Sequence, residues 1–201
     1  MEKDVKKALD DIDSVNPFAT YLSDSTLSRV GGWIDTGSYV LNAIVSGSIH
    51  GGIPKGRVTM LAGESMTGKS LFVMKILAAA QKEGLIPVIF DTENAIDPEG
   101  AERLGLDVSN VKYVPCISIE KTRNALYKFL TTVKEKGLEG KFIVAIDSLG
   151  NLQSELSLAR MGKDSTSTDM GTNARAMKSL MQTCTNLGAV NQVLTGVRNV
   201  D

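Results

Sequence analysis

The sequence predicts an α/β fold in which a mostly parallel sheet carries helices on both faces and presents a phosphate-binding loop. Three observations predict it. Apolar, strand-like runs alternate with helix-like segments from residue 57 to residue 187, the pattern left by parallel strands joined through crossover helices. Residues 63–70 read Gly-Glu-Ser-Met-Thr-Gly-Lys-Ser, and they lie between the apolar run from Val58 to Ala62 and a helix-like segment that opens at Leu71. The run Phe-Ile-Val-Ala-Ile at 142–146 then ends on Asp147, a carboxylate at the strand end where parallel sheets bind their ligands.

The elements follow in order. Val5, Ala8, Leu9 and Ile12 share one helical face near the start, and Asn16-Pro17 ends that pattern. A polar stretch then runs to Gly31-Gly32, which separates an N-terminal arm (1–30) from the core (31–201). Within the core, 57–62 is a buried strand. Residues 71–83 form a helix with Phe72, Ile76 and Ala79 on its apolar face, capped by Gly84. A strand at 86–90 follows, then a short helix from Pro98 to about Gly105 and a strand at 111–114. The helix at 119–136 places Ala125, Leu126, Phe129, Leu130 and Val133 on one face before Gly137, and 142–146 returns to strand. Leu149, Leu152, Leu156 and Ala159 suggest a helical turn or two, and 162–168 reads as a small, polar, mobile loop. Ala174, Met177, Leu180, Met181, Cys184 and Leu187 mark an amphipathic helix, with a short strand at 190–195 after it.

Composition narrows the chemistry. The 201 residues are 42% hydrophobic, enough for a substantial core, and 22 basic against 23 acidic residues leave a net charge of -1. No bulk basic field advertises nucleic acid, so any contact with it is local. No apolar run approaches a membrane span and the charged first twelve residues do not form a signal peptide, so a cytoplasmic protein with no membrane partner is expected. Cys116 and Cys184 show no disulfide or metal-ligand spacing and read as core thiols. The single histidine, His50, excludes Ser/His/Asp triads and nearly all zinc hydrolase sites, and its glycine-flanked position reads as surface loop. Carboxylates, a lysine and a metal must therefore carry any reaction.

Gly63 and Gly68 let the loop backbone curl around phosphate oxygens, and the helix that follows adds its N-terminal dipole. Nucleotide contacts are expected from Gly63, Glu64, Ser65, Met66, Thr67, Gly68, Lys69, Ser70 and Leu71. Lys69 reaches the β- and γ-phosphates of a nucleoside triphosphate, and the Ser70 hydroxyl ligates Mg²⁺. Asp147 suits the second acid that organises this metal, although the same position could cap a helix. In Asp91-Thr-Glu-Asn-Ala-Ile-Asp97, Glu93 is the best candidate for the base that orients an attacking water. The alternative is that Asp91 and Glu93 are ordinary loop acids, with Asp97 capping the helix at Pro98.

Four motifs in order, Ile-Asp-Thr-Gly-Ser at 34–38, the loop at 63–70, Asp-Thr-Glu-Asn-Ala-Ile-Asp-Pro at 91–98 and Ile-Asp-Ser-Leu-Gly-Asn at 146–151, resemble the core of the RecA-type recombinases. The bacteriophage UvsX-like branch is the best match, over roughly residues 30 to 187. The resemblance implies a P-loop NTPase of RecA-like fold and a DNA-dependent ATPase of homologous recombination and DNA repair, with ATP and Mg²⁺ as cofactors. It implies that Glu93, with Lys69, is catalytic, that Asp147 joins Ser70 at the metal and that Asp97 lies near the adenine. It also implies single-stranded DNA as partner, coated by a helical filament of the protein with ATP at the subunit interfaces, in the cytoplasm of an infected host. The family's first DNA-binding loop then falls on residues 152–172, with Arg160 and Lys163 in it and Arg175 and Lys178 on the helix behind; a solvated connecting loop is the alternative. The N-terminal helix would dock on the neighbouring subunit.

After Leu187 the family supplies a strand with a polar sensor residue, a second DNA-binding loop and further strands. Gly196-Val197-Arg198 does not match the sensor and residues 188–201 hold no second loop, so the resemblance implies a core incomplete on its C-terminal side, a truncated or split recombinase with weak DNA-coupled hydrolysis. Two other readings compete: a non-hydrolysing nucleotide-binding regulator of recombinase filaments, and a RecA-like ATPase of the helicase or clock-protein type.

Overall fold

A computed structural model describes residues 2–16, 19–25, 29–161, 170–188 and 192–198. The chain divides into two compact units, Met1–Gly31 and Gly32–Asp201. In the first, α1 (Glu2–Val15) leaves Val5, Leu9 and Ile12 exposed. Leu9 and Ile12 line a hollow of about 300 Å³ together with Ala19 and Tyr21 of the same unit.

The second unit opens with a small motif to which the sequence patterns assign no element. Strands β1 (Trp33–Ile34) and β2 (Ile53–Pro54) pair antiparallel around the helix α2 (Tyr39–Ser46). Its centre is polar. The buried Asn42 side chain accepts from the Thr36 N–H (3.0 Å) and Oγ1 (2.7 Å), and it donates to Asp35 Oδ1 (2.7 Å) and the Ile49 carbonyl (3.1 Å). The bond from Asn42, with help from the Gly37 N–H, holds the Asp35 carboxyl below its ordinary range. Gly52 lies so close to the Ile34 carbonyl that a Cβ there would stand 1.8 Å from the oxygen, which ties the sequence choice to the packing of β2 on β1. Replacing Asn42 by Ala strands these partners without a bond, so we expect a loss of about 1–3 kcal/mol in urea unfolding.

The main sheet is built from β3 (Val58–Gly63), β4 (Ile86–Asp91), β5 (Lys112–Pro115), β6 (Phe142–Asp147) and β7 (Gln192–Arg198). All its pairings are parallel, and the order across it is β3-β7-β6-β4-β5. Helices α3 (Lys69–Lys82), α4 (Pro98–Arg103), α5 (Ile119–Glu135), α6 (Glu155–Met161) and α7 (Met170–Gly188) connect and cover it.

Period-two alternation in the strands makes two cores. Ile143 and Ala145 of β6, with Ile89 of β4, face the cluster that contains Val73, Ile76 and Leu77 of α3. Val144 and Ile146, with Val88 and Phe90, face the opposite cluster with Leu126 and Leu130 of α5 and Leu180 and Cys184 of α7. The predicted α/β sheet with helices on both faces is thus present.

Several boundaries and faces differ from the sequence reading. Helix α3 is buried on most sides, at Val73, Met74, Ile76, Leu77, Ala78 and Ala80, because it lies between the sheet and the β1–α2–β2 motif; Phe72 and Ala79 are only half-buried. On α5 the buried row is Ile119, Thr122, Leu126, Leu130 and Val133, with Ala125 exposed. Thr122 enters that row because its hydroxyl donates to the Ser118 carbonyl at 2.8 Å. Ala174 of α7 is exposed in the same way, while Leu180 and Cys184 are buried. Cys116 is half-buried rather than core. The last strand runs through Arg198 rather than stopping at Thr195, since β3 pairs with it as far as Gly63 opposite Arg198. The predicted mobile loop at 162–168 lies outside the described residues.

Helix ends follow local chemistry. Gly84, at φ 83°, follows α3, where its N–H donates to the Gln81 carbonyl (2.9 Å) and the Leu85 N–H to Ala80 (3.0 Å). This 5→2 and 6→1 pair also closes α4 at Gly105 and α5 at Gly137.

Candidate active site

The loop between β3 and α3 is held by its own backbone. Gly68, at φ 86°, stands at the N-cap and turns the chain into α3, and Met66 at φ 64° projects fully into solvent. The Thr67 hydroxyl donates to the Glu64 carbonyl at 2.9 Å. Lys69 Nζ curls back over the loop and donates to the carbonyls of Gly63 (2.6 Å) and Glu64 (2.5 Å). An ammonium parked on neutral carbonyls gains more from a polyphosphate, so an anion entering the loop competes for it favourably.

Asp147 ends β6 in the middle of the sheet and is 8% exposed. Burial pushes its carboxyl above the ordinary value, and Glu93 and Asp91 push the same way, against a bond from the Ser70 hydroxyl and the nearby Lys69 charge. The peptide from Asp147 to Ser148 is cis.

The turn after β4 is wrapped around Asp91. That side chain, 2% exposed, accepts at Oδ1 from the N–H groups of Glu93 (2.9 Å) and Asn94 (3.0 Å), and at Oδ2 from the Tyr113 hydroxyl (3.1 Å). These bonds push Asn94 to φ 50° and aim the Glu93 side chain toward the end of β6. There Glu93 Oε1 accepts from Ser148 Oγ (3.1 Å) and from Asn151 Nδ2 (2.6 Å). Thr92 stitches the two strand ends together: its N–H donates to the Asp147 carbonyl, its hydroxyl donates to the Ser148 carbonyl, and that hydroxyl accepts from the Ser148 N–H, all at 2.9 Å.

Lys69, Ser70, Glu93 and Asp147, with Ser65 and Ser148 beside them, line one cavity of about 400 Å³ at the carboxyl ends of β3, β4 and β6. Met66, Gly68 and Leu71 also border it, whereas Gly63, Glu64 and Thr67 take part through the loop's internal bonds. A second cavity of about 360 Å³ shares Ser70, Leu71, Glu93 and Asp147 and continues between Met74 and the start of α4. Asp97 sits there. It caps α4 by accepting from the N–H groups of Glu99 (3.2 Å) and Gly100 (2.9 Å), and it pairs with Arg103 at 3.4 Å, so the capping alternative is present and leaves Asp97 on the cavity wall as well.

The residues proposed to meet DNA lie elsewhere. Arg160 is on α6, and Arg175 and Lys178 are exposed one turn apart on α7; none of them lines either cavity. Lys163 lies outside the described residues. Ser148 and Asn151 were missed as partners of Glu93. Their signal was present in Ile-Asp-Ser-Leu-Gly-Asn, but only its aspartate had an assigned role.

The donor set suits Mg²⁺. Ser70 and Asp147 offer one hydroxyl and one carboxylate on the same cavity, the buried Asp147 having two further acids, Glu93 and Asp91, near it whose charge a divalent cation would relieve. Among the described residues no cluster of three or more His, Cys, Asp or Glu forms a complete metal cage.

Residues 3–198 match the family described as the RecA N-terminal domain. The chain belongs to this family. Among curated relatives, it is 34% identical over 164 residues to the protein RecA of Chlorobium chlorochromatii, a match covering 81% of this chain and 42% of that protein. The RecA of Nautilia profundicola is 29% identical over 176 residues, covering 88% of the chain and 46% of the relative. The RecA of Aquifex aeolicus reaches 45% identity over 78 residues, 39% of the chain and 22% of the relative. The chain thus spans less than half the length of these RecA proteins. RecA membership accounts for the α/β fold and for the phosphate loop at the end of its first long strand. No helix among the described residues is long and apolar enough to cross a membrane.

Proposed function

We propose that this chain binds ATP with Mg²⁺ and hydrolyses it as a RecA-type recombinase acting on single-stranded DNA in recombination and repair. The observation that carries this reading is the convergence of Lys69, Ser70, Glu93 and Asp147, from three strand ends, on one cavity of about 400 Å³. Lys69 leaves the Gly63 and Glu64 carbonyls for the β- and γ-phosphates. Bound through Ser70 and Asp147, Mg²⁺ would neutralise charge on the phosphates. Glu93, held by its backbone turn around Asp91, orients a water toward the γ-phosphate and takes its proton. Asp97 and the start of α4 form the wall of the adjoining cavity, where the adenine would lie.

The finer parts of the proposal rest on motif order. The UvsX-like character implies a phage protein working in the host cytoplasm. The core, 31–201, would assemble into a filament, with the arm at 1–30 docking on the next subunit through Val5, Leu9 and Ile12, whose exposure supports a docking role. Arg160, Lys163, Arg175 and Lys178 would meet the DNA backbone.

Phosphate release measured with and without single-stranded DNA, over a series of salt concentrations, tests the proposal. We expect DNA to raise the rate, and its binding to weaken with a log–log slope of about -0.7 per phosphate contact. A rate indifferent to DNA at every salt concentration would remove the recombinase reading and leave a bare ATPase.

A further inference from the structure

We propose that Asn151 is a latch on Glu93, a positioning residue that holds the carboxylate back from the reacting water until the latch opens. The inference rests on the reading of Glu93 as the base. Glu93 Oε1 accepts from Asn151 Nδ2 at 2.6 Å and from Ser148 Oγ at 3.1 Å. A carboxylate oxygen has two lone-pair sites, so these two donors fill Oε1 and restrict a water to Oε2, whose position the same two bonds fix.

The two donors differ in where they stand. Ser148 lines the cavity beside Lys69, whereas Asn151 lines neither cavity, so the shorter bond draws the carboxylate toward a residue outside the phosphate site. Asn151 is exposed, at the end of a 3-10 turn, Leu149–Asn151. The segment that follows this turn is braced from behind. The Gln153 carbonyl accepts from the Ile119 N–H at 3.0 Å, and Asn173 Oδ1 accepts from the Ser154 N–H and the Ser157 hydroxyl, both at 2.9 Å. Asn173 lies on α7, the helix that exposes Arg175 and Lys178, so a load on that helix reaches Ser154 and Ser157 through hydrogen bonds, Ser154 lying three residues along the chain from the latch.

The strand ends do not depend on the latch. Thr92 fixes the backbones of Asp147 and Ser148 through three bonds of 2.9 Å, and Asp91 fixes that of Glu93. Removing the Asn151 amide therefore frees one side chain and leaves the turn, the metal position and the phosphate loop in place. Losing a hydrogen bond to a charged group corresponds to about a tenfold change in the population it restrains.

Single-turnover ATP hydrolysis without DNA tests this, using Asn151→Ala, Asn151→Gln and the double variant Glu93→Gln with Asn151→Ala. Affinity for a fluorescent ATP analogue serves as the control for folding. We expect Asn151→Ala to raise the hydrolytic rate about tenfold while ATP affinity stays within about twofold. Asn151→Gln, which keeps an amide donor, should bring the rate back toward wild type, and a purely structural role would not produce that reversal. The latch is overturned if Asn151→Ala turns over ATP no faster than wild type, including the case in which neither turns over. If Asn151→Ala is faster and the double variant keeps that higher rate, Glu93 is not the base, and it is the functional reading that fails.

Discussion

Replacing Glu93 by Gln is expected to lower single-turnover ATP hydrolysis by about 10²- to 10⁴-fold, the contribution of a positioned general base, with little change in ATP affinity. Glutamine keeps an acceptor oxygen for Ser148 Oγ and Asn151 Nδ2, and the backbone bonds from Asp91 do not involve the side chain, so the turn after β4 survives the substitution. What is lost is the ability to take a proton. Rapid-quench measurement of phosphate formation, alongside fluorescence titration with an ATP analogue, separates the two quantities. Equal rates for variant and wild type would reduce Glu93 to a loop acid and favour a nucleotide-binding regulator.

Asp147→Asn is expected to act in opposite directions on stability and on metal. Burial first, and then Glu93 and Asp91, raise the folded-state value of this carboxyl above its unfolded one. Between those two values the folded protein binds more protons than the unfolded chain, so this group's contribution falls as pH rises through that window and stays unfavourable above it. The amide carries no such penalty. At neutral pH the ligand-free variant should melt at a higher temperature than wild type, and its stability should show a shallower decline with pH across the window. Mg²⁺-dependent ATP binding should weaken by at least about 10- to 100-fold, since even partners outside the coordination sphere matter that much. Thermal scans with and without Mg-ATP at several pH values read both effects. A variant that melts lower without ligand yet retains full Mg²⁺ dependence would contradict both halves of the argument.

The legible parts of the site were those encoded in short range. Eight consecutive residues specify the phosphate loop, because backbone curvature, the lysine and the hydroxyl must all come from one turn. An apolar run ending in Asp147 places that acid at the sheet's carboxyl edge without further information. Glu93's partners were not readable, since Ser148 and Asn151 are 55 and 58 residues away and meet it only once β4 and β6 pair in register, Asp91 opposite Asp147. The buried row on α5 departs from the expected face, with Thr122 inside it and Ala125 outside, and for Thr122 the reason is similar. A threonine that satisfies its hydroxyl on its own helix behaves as an apolar residue, and that property belongs to the bond, not to the residue type. The β1–α2–β2 motif escaped because its centre is an asparagine network, and hydrophobic periodicity carries no trace of such a core.

The position of β7 bears on the order in which the molecule is made. Strand β3, which delivers the phosphate loop, has β7 as its hydrogen-bonded neighbour, and β7 in turn joins it to β6. Residues 58–63 are thus synthesised early, but they find their partner only when residues 192–198 have left the ribosome, well over a hundred residues later. Until then β4, β5 and β6 can assemble among themselves while the loop strand keeps an open edge. The loop at 63–70 should consequently be the last part of the candidate site to be fixed, after Asp91 and Asp147 at the ends of β4 and β6 already stand in register.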